Sequence, residues 1–162
     1  RDAKTSLNKG ADAAVLPIFN TASLVGFGAV IAALPVFQAI TDAMLDLSEG
    51  NPLVAVAVSV TTLSAITGSA SGGMSIALSS LGSQFVELAA ATGTSLEAMH
   101  RVTSVASGAL DALPHNGAVI TVLGICGLSH RESYGDVFVV AVLIPMIALS
   151  AIVVLGTLLG GF

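Results

Sequence analysis

The residues most able to do chemistry lie in one short segment, residues 107–117, which reads SGALDALPHNG. The segment contains a carboxylate, Asp111, and an imidazole, His115, and both side chains can take up and release protons. Pro114 lacks an N–H and disfavours helix at the preceding residue, and Asn116 adds an amide that can donate and accept hydrogen bonds. These residue types predict a break in a helix that carries proton-handling and hydrogen-bonding groups.

The sequence around this segment predicts that the break lies inside a membrane. The nearest charges beyond Asp111 are Arg101 and Arg131, with 29 residues between them. That is about the length that a membrane-crossing segment needs when part of it is unwound. We therefore predict a broken transmembrane helix over residues 102–128. Backbone groups left open at mid-membrane depth need protein, water or a ligand as partner, so the break is a predicted binding site.

The composition also favours an integral membrane protein. Of 162 residues, 54% are apolar and only 9% are charged, with a mean hydropathy of +0.95, whereas soluble domains carry about 25% charged residues. The net charge of −5 argues against a nucleic-acid partner. Cys126, the lone cysteine, excludes an internal disulfide and is expected to be a small core residue, and no metal site is predicted.

A second interruption is predicted in residues 53–88. The uncharged stretch 50–86 is too long for one crossing and too short for two, since each crossing needs about 20 residues. Its centre, residues 67–73, reads TGSASGG and has no aliphatic side chain larger than alanine. We predict a re-entrant helical hairpin with this segment as its tip. Open amides at the start of its second arm, and at Asn116 and Gly117, would suit an anion.

The remaining sequence predicts an all-α membrane protein. Residues 1–12 are a polar lead and residues 13–162 a C-terminal transmembrane region. Within that region we predict a helix at 13–41 interrupted near Pro17–Ser23, an acidic turn at 42–51, a short loop or surface helix at 89–100 capped by Thr94 or Ser95, and a final helix at 137–159. His130 is expected to lie solvated in the loop before the final helix.

The placement of basic residues predicts the orientation. Arg1, Lys4, Lys9 and Arg131 fall on one side of the membrane, against Arg101 on the other. The positive-inside rule then makes the N-terminal end of the chain cytoplasmic and the C-terminus external. We expect the chain to be the C-terminal part of a longer transporter in the cytoplasmic (inner) membrane.

Three segments of the chain also carry a resemblance. PIFNTASLVGFGAV, TGSASGGMSIAL and SGALDALPHNGAVITVLGICGLSHRESYGDVF resemble the C-terminal region of the gluconate/proton symporter family of bacterial permeases, within the wider ion-transporter superfamily. The likeness covers nearly all of the chain, and PHNGAVI is its most specific part. It implies a permease of two inverted repeats, each with one hairpin and one broken helix, that carries gluconate or a related organic acid together with protons.

The resemblance further implies partners and site residues. The partners would be a small carboxylate substrate, the lipid bilayer, the N-terminal half of the same permease and a second copy in a dimer with an elevator-like transport domain. No cofactor is implied, because the proton is the coupling ion and is carried by Asp111 or His115. The implied substrate-binding residues are Thr67, Gly68, Ser69, Ser71, Gly72, Gly73, Pro114, His115, Asn116 and Gly117.

Several alternatives remain open on the sequence. The small residues 67–73 could be a packing surface between helices, and Asp111 could cap the outgoing half helix. Transport could be coupled to sodium and serve dicarboxylates or other anions, or the chain could be inactive without its N-terminal half. A hydrolase built on Ser69, His115 and Asp111 is disfavoured because no GxSxG segment is present, so we expect a non-enzyme.

Overall fold

Eight α-helices make up most of the computed structural model, which describes residues 3–48 and 50–159. Every regular element in these ranges is helical, in agreement with the predicted all-α class. Arg1 of the polar lead, Glu49 of the acidic turn and the last three residues lie outside the described residues. The helices are α1 (Ala3–Ala32), α2 (Val36–Asp46), α3 (Pro52–Thr67), α4 (Ala70–Thr92), α5 (Leu96–Ser107), α6 (Gly117–Cys126), α7 (His130–Phe138) and α8 (Ile144–Leu159), with a π turn (Val139–Leu143) joining the last two.

The core is built around α3. This helix is apolar on nearly all sides, and a helix without a polar face is stable only when other elements surround it. Its side chains at Leu53, Val56, Val60 and Leu63 expose 2% of their surface or less. The helices α1, α2, α4, α5 and α8 all contact α3. The interruptions described below are therefore held against a buried helix.

The helices α3 and α4 form a hairpin with a very short connection, Gly68 and Ser69, which we call the hairpin turn. Gly68 has φ +60°, a left-handed conformation that costs least for glycine, and it ends α3. The Ser69 hydroxyl accepts a hydrogen bond from the Gly72 amide at 3.1 Å and so caps the start of α4. The turn is thus narrower than the predicted tip 67–73, because residues 70–73 already form the first turn of α4.

Gly73 explains why small residues are needed beyond the turn. A Cβ atom placed on Gly73 would overlap the backbone nitrogen of Ser64 on α3. The two arms of the hairpin can cross this closely only because Gly73 has no side chain. For this residue the packing role, one of the alternatives left open by the sequence, fits the structure.

The first helix differs from the sequence prediction. α1 begins at Ala3 and continues through Pro17–Ser23, so much of the predicted polar lead 1–12 is helical and the predicted interruption is wrong. The predicted helix 13–41 instead divides at residues 33–35, just before α2, with a bend of 83°. Pro35, which has no N–H for the preceding helix, lies at this bend. Asp42 and Asp46, expected in the acidic turn 42–51, lie on α2.

The predicted broken helix 102–128 corresponds to α5 and α6. The two helices are separated by residues 108–116, which we call the break. The Ser95 hydroxyl accepts a hydrogen bond from the Ala98 amide and caps α5, as predicted. Asn116 caps α6 in the same way, through its side-chain oxygen and the Val119 amide.

The last helical segment has the length and composition of a membrane-crossing helix. Residues His130–Leu159 form a strongly apolar span of 30 residues, and the predicted final helix 137–159 lies within it. Large apolar side chains cover its outer face, with Ile147 exposing 62% and Leu158 75% of their surfaces. Among the described residues it is the one helix that is long and apolar enough to cross a membrane, or one of two if the bent segments Gly26–Ala32 and Val36–Asp46 count as a single span.

Replacing Gly73 should destabilise the hairpin. In Gly73→Ala we expect the free energy of unfolding to fall by about 2 kcal/mol or more, because the new methyl group overlaps the Ser64 backbone. Gly82→Ala on the same helix is the matched control, since a Cβ there meets nothing within 4 Å, and it should leave stability unchanged or raise it by about 0.5–1 kcal/mol. Denaturation of the purified full-length protein in detergent measures both. Equal stability of the two variants would contradict the close crossing.

Candidate functional site

The hairpin turn and the break meet at Asn116. Its side-chain amide donates hydrogen bonds to the Gly68 carbonyl at 2.8 Å and to the Asp111 carbonyl at 2.9 Å. Its side-chain oxygen accepts from the Val119 amide at 2.9 Å. Asn116 exposes only 6% of its surface; its bond to Gly68 is buried, and the other two bonds are partly buried. One side chain therefore joins the turn, the break and the start of α6.

Within the break, the carbonyl groups of four consecutive residues have donors. Asn116 supplies two of them: its side chain serves Asp111, and its backbone N–H donates to the Leu113 carbonyl at 2.8 Å. The non-helical backbone thus satisfies part of its own hydrogen-bonding requirement, which is necessary wherever water is absent.

The other two carbonyls are bound by the start of α7. The Tyr134 hydroxyl donates to the Ala112 carbonyl at 3.1 Å. The Nε2 atom of His130 lies 2.9 Å from the Pro114 carbonyl oxygen, and because a carbonyl can only accept, this nitrogen carries the hydrogen. His130 is therefore not simply a solvated loop residue, as the sequence had suggested. Neither residue was among the predicted site residues.

The start of α4 faces a carboxylate of the chain itself. The backbone amides of Asp111 itself, of Ala70, the first residue of α4, and of Ala112 lie close to the Asp111 carboxylate. The partial positive charge of a helix N-terminus favours such a group. Asp111 therefore lies against the hairpin rather than capping α6, where Asn116 serves.

His115 lies beside the hairpin turn and is exposed. A Cβ atom placed on Gly68 would be 2.9 Å from the His115 ring carbon Cδ2 and 3.4 Å from the Asn116 Cα. Gly68 is thus required both by its left-handed backbone and by the closeness of the break. His115 and the Asp111 carboxylate consequently border the same turn.

The hydroxyl groups near the turn differ in availability. Thr67 is buried, and its hydroxyl donates to the Leu63 carbonyl at 2.8 Å. Ser71 is exposed, with its hydroxyl oxygen 3.5 Å from that of Ser69. A cavity of about 220 Å³ lies between this end of the hairpin and α1. It is lined by Gly28, Ala29, Thr67, Ser71, Gly72, Ser75 and Ile76.

The structure brings most of the predicted site residues into one region. Gly68, Ser69, Asp111, His115 and Asn116 surround the contact between turn and break, with Pro114 and Gly117 adjacent in sequence. Four others face elsewhere. Thr67, Ser71 and Gly72 line the cavity towards α1, and Gly73 packs against α3.

Two further findings bear on the chemistry. Among the described residues, no group of three or more His, Cys, Asp or Glu side chains is arranged to hold a metal ion. Cys126 is exposed near the end of α6, so its predicted place in the core is wrong. The sequence pattern could not reveal that Cys126 is exposed, because α6 is apolar on its exposed and buried faces alike.

Similarity to known proteins points to transport. The chain is 46% identical over 157 residues to a protein of Bacillus subtilis (strain 168) named "Uncharacterized transporter YxjC". The match covers 97% of this chain and 33% of that protein, so the chain spans about a third of the length of the curated relative it matches. No protein-family model matches the chain, and no solved structure does.

Asn116→Ala should loosen the contact between turn and break. It removes a helix cap, the buried hydrogen bond to Gly68 and the partly buried one to Asp111, which together contribute about 2–4 kcal/mol. Asn51→Ala is a matched control, because Asn51 likewise caps a helix, α3, and donates to Thr157, but far from the break along the chain. Thermal unfolding of the full-length protein and binding of the candidate substrate are the two measurements. We expect Asn51→Ala to lower the stability without affecting substrate binding, and Asn116→Ala to lower both the stability and the binding. Unchanged binding in Asn116→Ala would exclude Asn116 from the site.

Proposed function

We propose that the chain is the C-terminal portion of a secondary active transporter that carries gluconate or a related small sugar acid together with protons. The observation that carries the proposal is the meeting of two helix interruptions through the buried Asn116. Interrupted helices are the usual substrate sites of secondary transporters. Similarity to a protein named as a transporter over nearly the whole chain supports the same class.

The substrate carboxylate would bind at the start of α4. Amides there carry partial positive charge, and no lysine or arginine is present in the hairpin turn or the break. The exposed Ser71 hydroxyl and the cavity towards α1 would receive the hydroxylated part of a sugar acid. His115 borders the same turn and can donate to the substrate.

Proton coupling would follow from competition at this helix end. In its charged form the Asp111 carboxylate interacts with the Ala70 amide, where a substrate carboxylate would bind. Two negative charges in one such place repel each other. Protonation of Asp111 removes that repulsion, so a proton and the substrate would bind together. His115 is the second candidate carrier of the coupling proton.

The complete transporter would include more than this chain. The N-terminal half would supply the second hairpin and the second broken helix. The resemblance to the gluconate/proton symporter family also implies a dimer with an elevator-like transport domain. We propose a multi-pass protein of the cytoplasmic membrane, with the N-terminal end of the chain cytoplasmic and the C-terminus external. The chain alone would not transport.

Substituting Asp111 by asparagine tests the coupling. Asn cannot be charged, so Asp111→Asn should retain gluconate counterflow in proteoliposomes of the full-length protein while losing the uptake driven by an inward proton gradient. Asp136→Asn on α7 is the control for loss of a carboxylate outside the site, and it should keep both activities. Gradient-driven uptake that survives in Asp111→Asn would remove Asp111 from the coupling mechanism.

The same vesicles separate the alternatives. Uptake that follows a sodium gradient and ignores the proton gradient would favour sodium-coupled transport of dicarboxylates or other anions. Absence of counterflow with gluconate, related sugar acids and dicarboxylates would contradict organic-acid transport as a whole.

A further inference from the structure

The start of α7 contacts the break through two side chains that share one helix face. His130 and Tyr134 are four positions apart on α7, so they lie one above the other. Their rings are also neighbours, with centroids 5.9 Å apart. We call them the α7 pair. One member binds the Pro114 carbonyl and the other the Ala112 carbonyl.

These two carbonyls adjoin the residues proposed to handle protons. Ala112 directly follows Asp111, and Pro114 directly precedes His115. Fixing a carbonyl fixes the plane of its peptide group, because the peptide bond is planar. The α7 pair therefore restricts the backbone on the C-terminal side of Asp111 and on the N-terminal side of His115. The plane bound by His130 joins Pro114 to His115, so its rotation would redirect the His115 side chain directly. The plane bound by Tyr134 joins Ala112 to Leu113, one peptide beyond Asp111, and so restricts Asp111 only through the backbone between them.

The break offers these carbonyls few substitutes. Asn116 is already committed to the carbonyls of Gly68 and Asp111 and, through its backbone, to that of Leu113. Proline contributes no donor. Away from bulk water, an unpaired carbonyl costs free energy comparable to a lost hydrogen bond. Without Tyr134, the partly buried carbonyl of Ala112 would lack this donor, and without His130 the exposed carbonyl of Pro114 would no longer be held in place.

We propose that His130 and Tyr134 are positioning residues of the site: by holding the Pro114 carbonyl, His130 sets the orientation of His115, and by holding the Ala112 carbonyl, Tyr134 restricts the backbone that follows Asp111. The proposal rests on the proposed transport function for its consequence but not for its geometry. The polar start of the last span thus has a role at the site. Through the same contacts, movement of that span is linked to the break.

The first test measures the break itself. In the full-length protein with Cys126→Ser, a reporter cysteine at the half-buried Leu113 is labelled with a maleimide. We expect Tyr134→Phe and His130→Ala to raise the labelling rate roughly five- to tenfold, the range expected for losing one hydrogen bond. His130→Gln should restore a slow rate, because its amide can donate from a similar position. Ser133→Ala, between the two on α7, is the control and should not change the rate.

The second test measures transport kinetics. Misplaced site residues should raise the KM for the acid several-fold in His130→Ala and Tyr134→Phe with little change in maximal rate, and His130→Gln should recover the KM. A merely structural role would lower the maximal rate by reducing the folded fraction and leave KM unchanged. That pattern, or labelling rates equal to the parent in both variants, would overturn the proposal. Because labelling needs no substrate, it decides the geometry even if no organic acid is transported.

Discussion

Where a helix is interrupted away from water, each backbone carbonyl that loses its helical partner needs another hydrogen-bond donor. This constraint governs the arrangement around residues 108–116. Here the donors come from three residues. Asn116, within the break, donates through both its side chain and its backbone, and His130 and Tyr134 donate from α7. The unwound segment is consequently ordered by its neighbours rather than by a ladder of its own. The start of α4 and the exposed side chain of His115 lie beside this ordered backbone.

The small residues of the hairpin serve two different physical purposes. Gly68 permits a left-handed turn in direct contact with the break, and Gly73 permits the two arms to cross at a separation that no side chain would allow. Only the first of these contributes to the candidate site. A run of small residues is therefore not by itself evidence of a loop or of a ligand, since close packing requires the same composition.

Much of this arrangement could be predicted from local sequence, and the rest depended on tertiary contacts. Pro114 and Asn116 indicated the break, because proline removes a donor and asparagine begins a helix well. The bend of the first helix was misplaced at Pro17–Ser23, although Pro35 was the available signal for it. The roles of His130 and Tyr134 could not be predicted, because their spacing marks one helix face without showing which distant carbonyls that face will meet.

The π turn at residues 139–143 determines how the two parts of the last span are oriented. Met146 follows Tyr134 by twelve positions, which in a regular α-helix would separate their directions by about 120°. A π turn accommodates one extra residue, and the remaining eleven steps reduce that angle to about 20°. The face that reaches the break and the face of Met146 and the buried Leu149 that packs on the core thus coincide. If this turn became regular helix, α8 would be rotated relative to α7 by about 100°. The span could then keep either the contact of α7 with the break or the packing of α8 on the core, but not both.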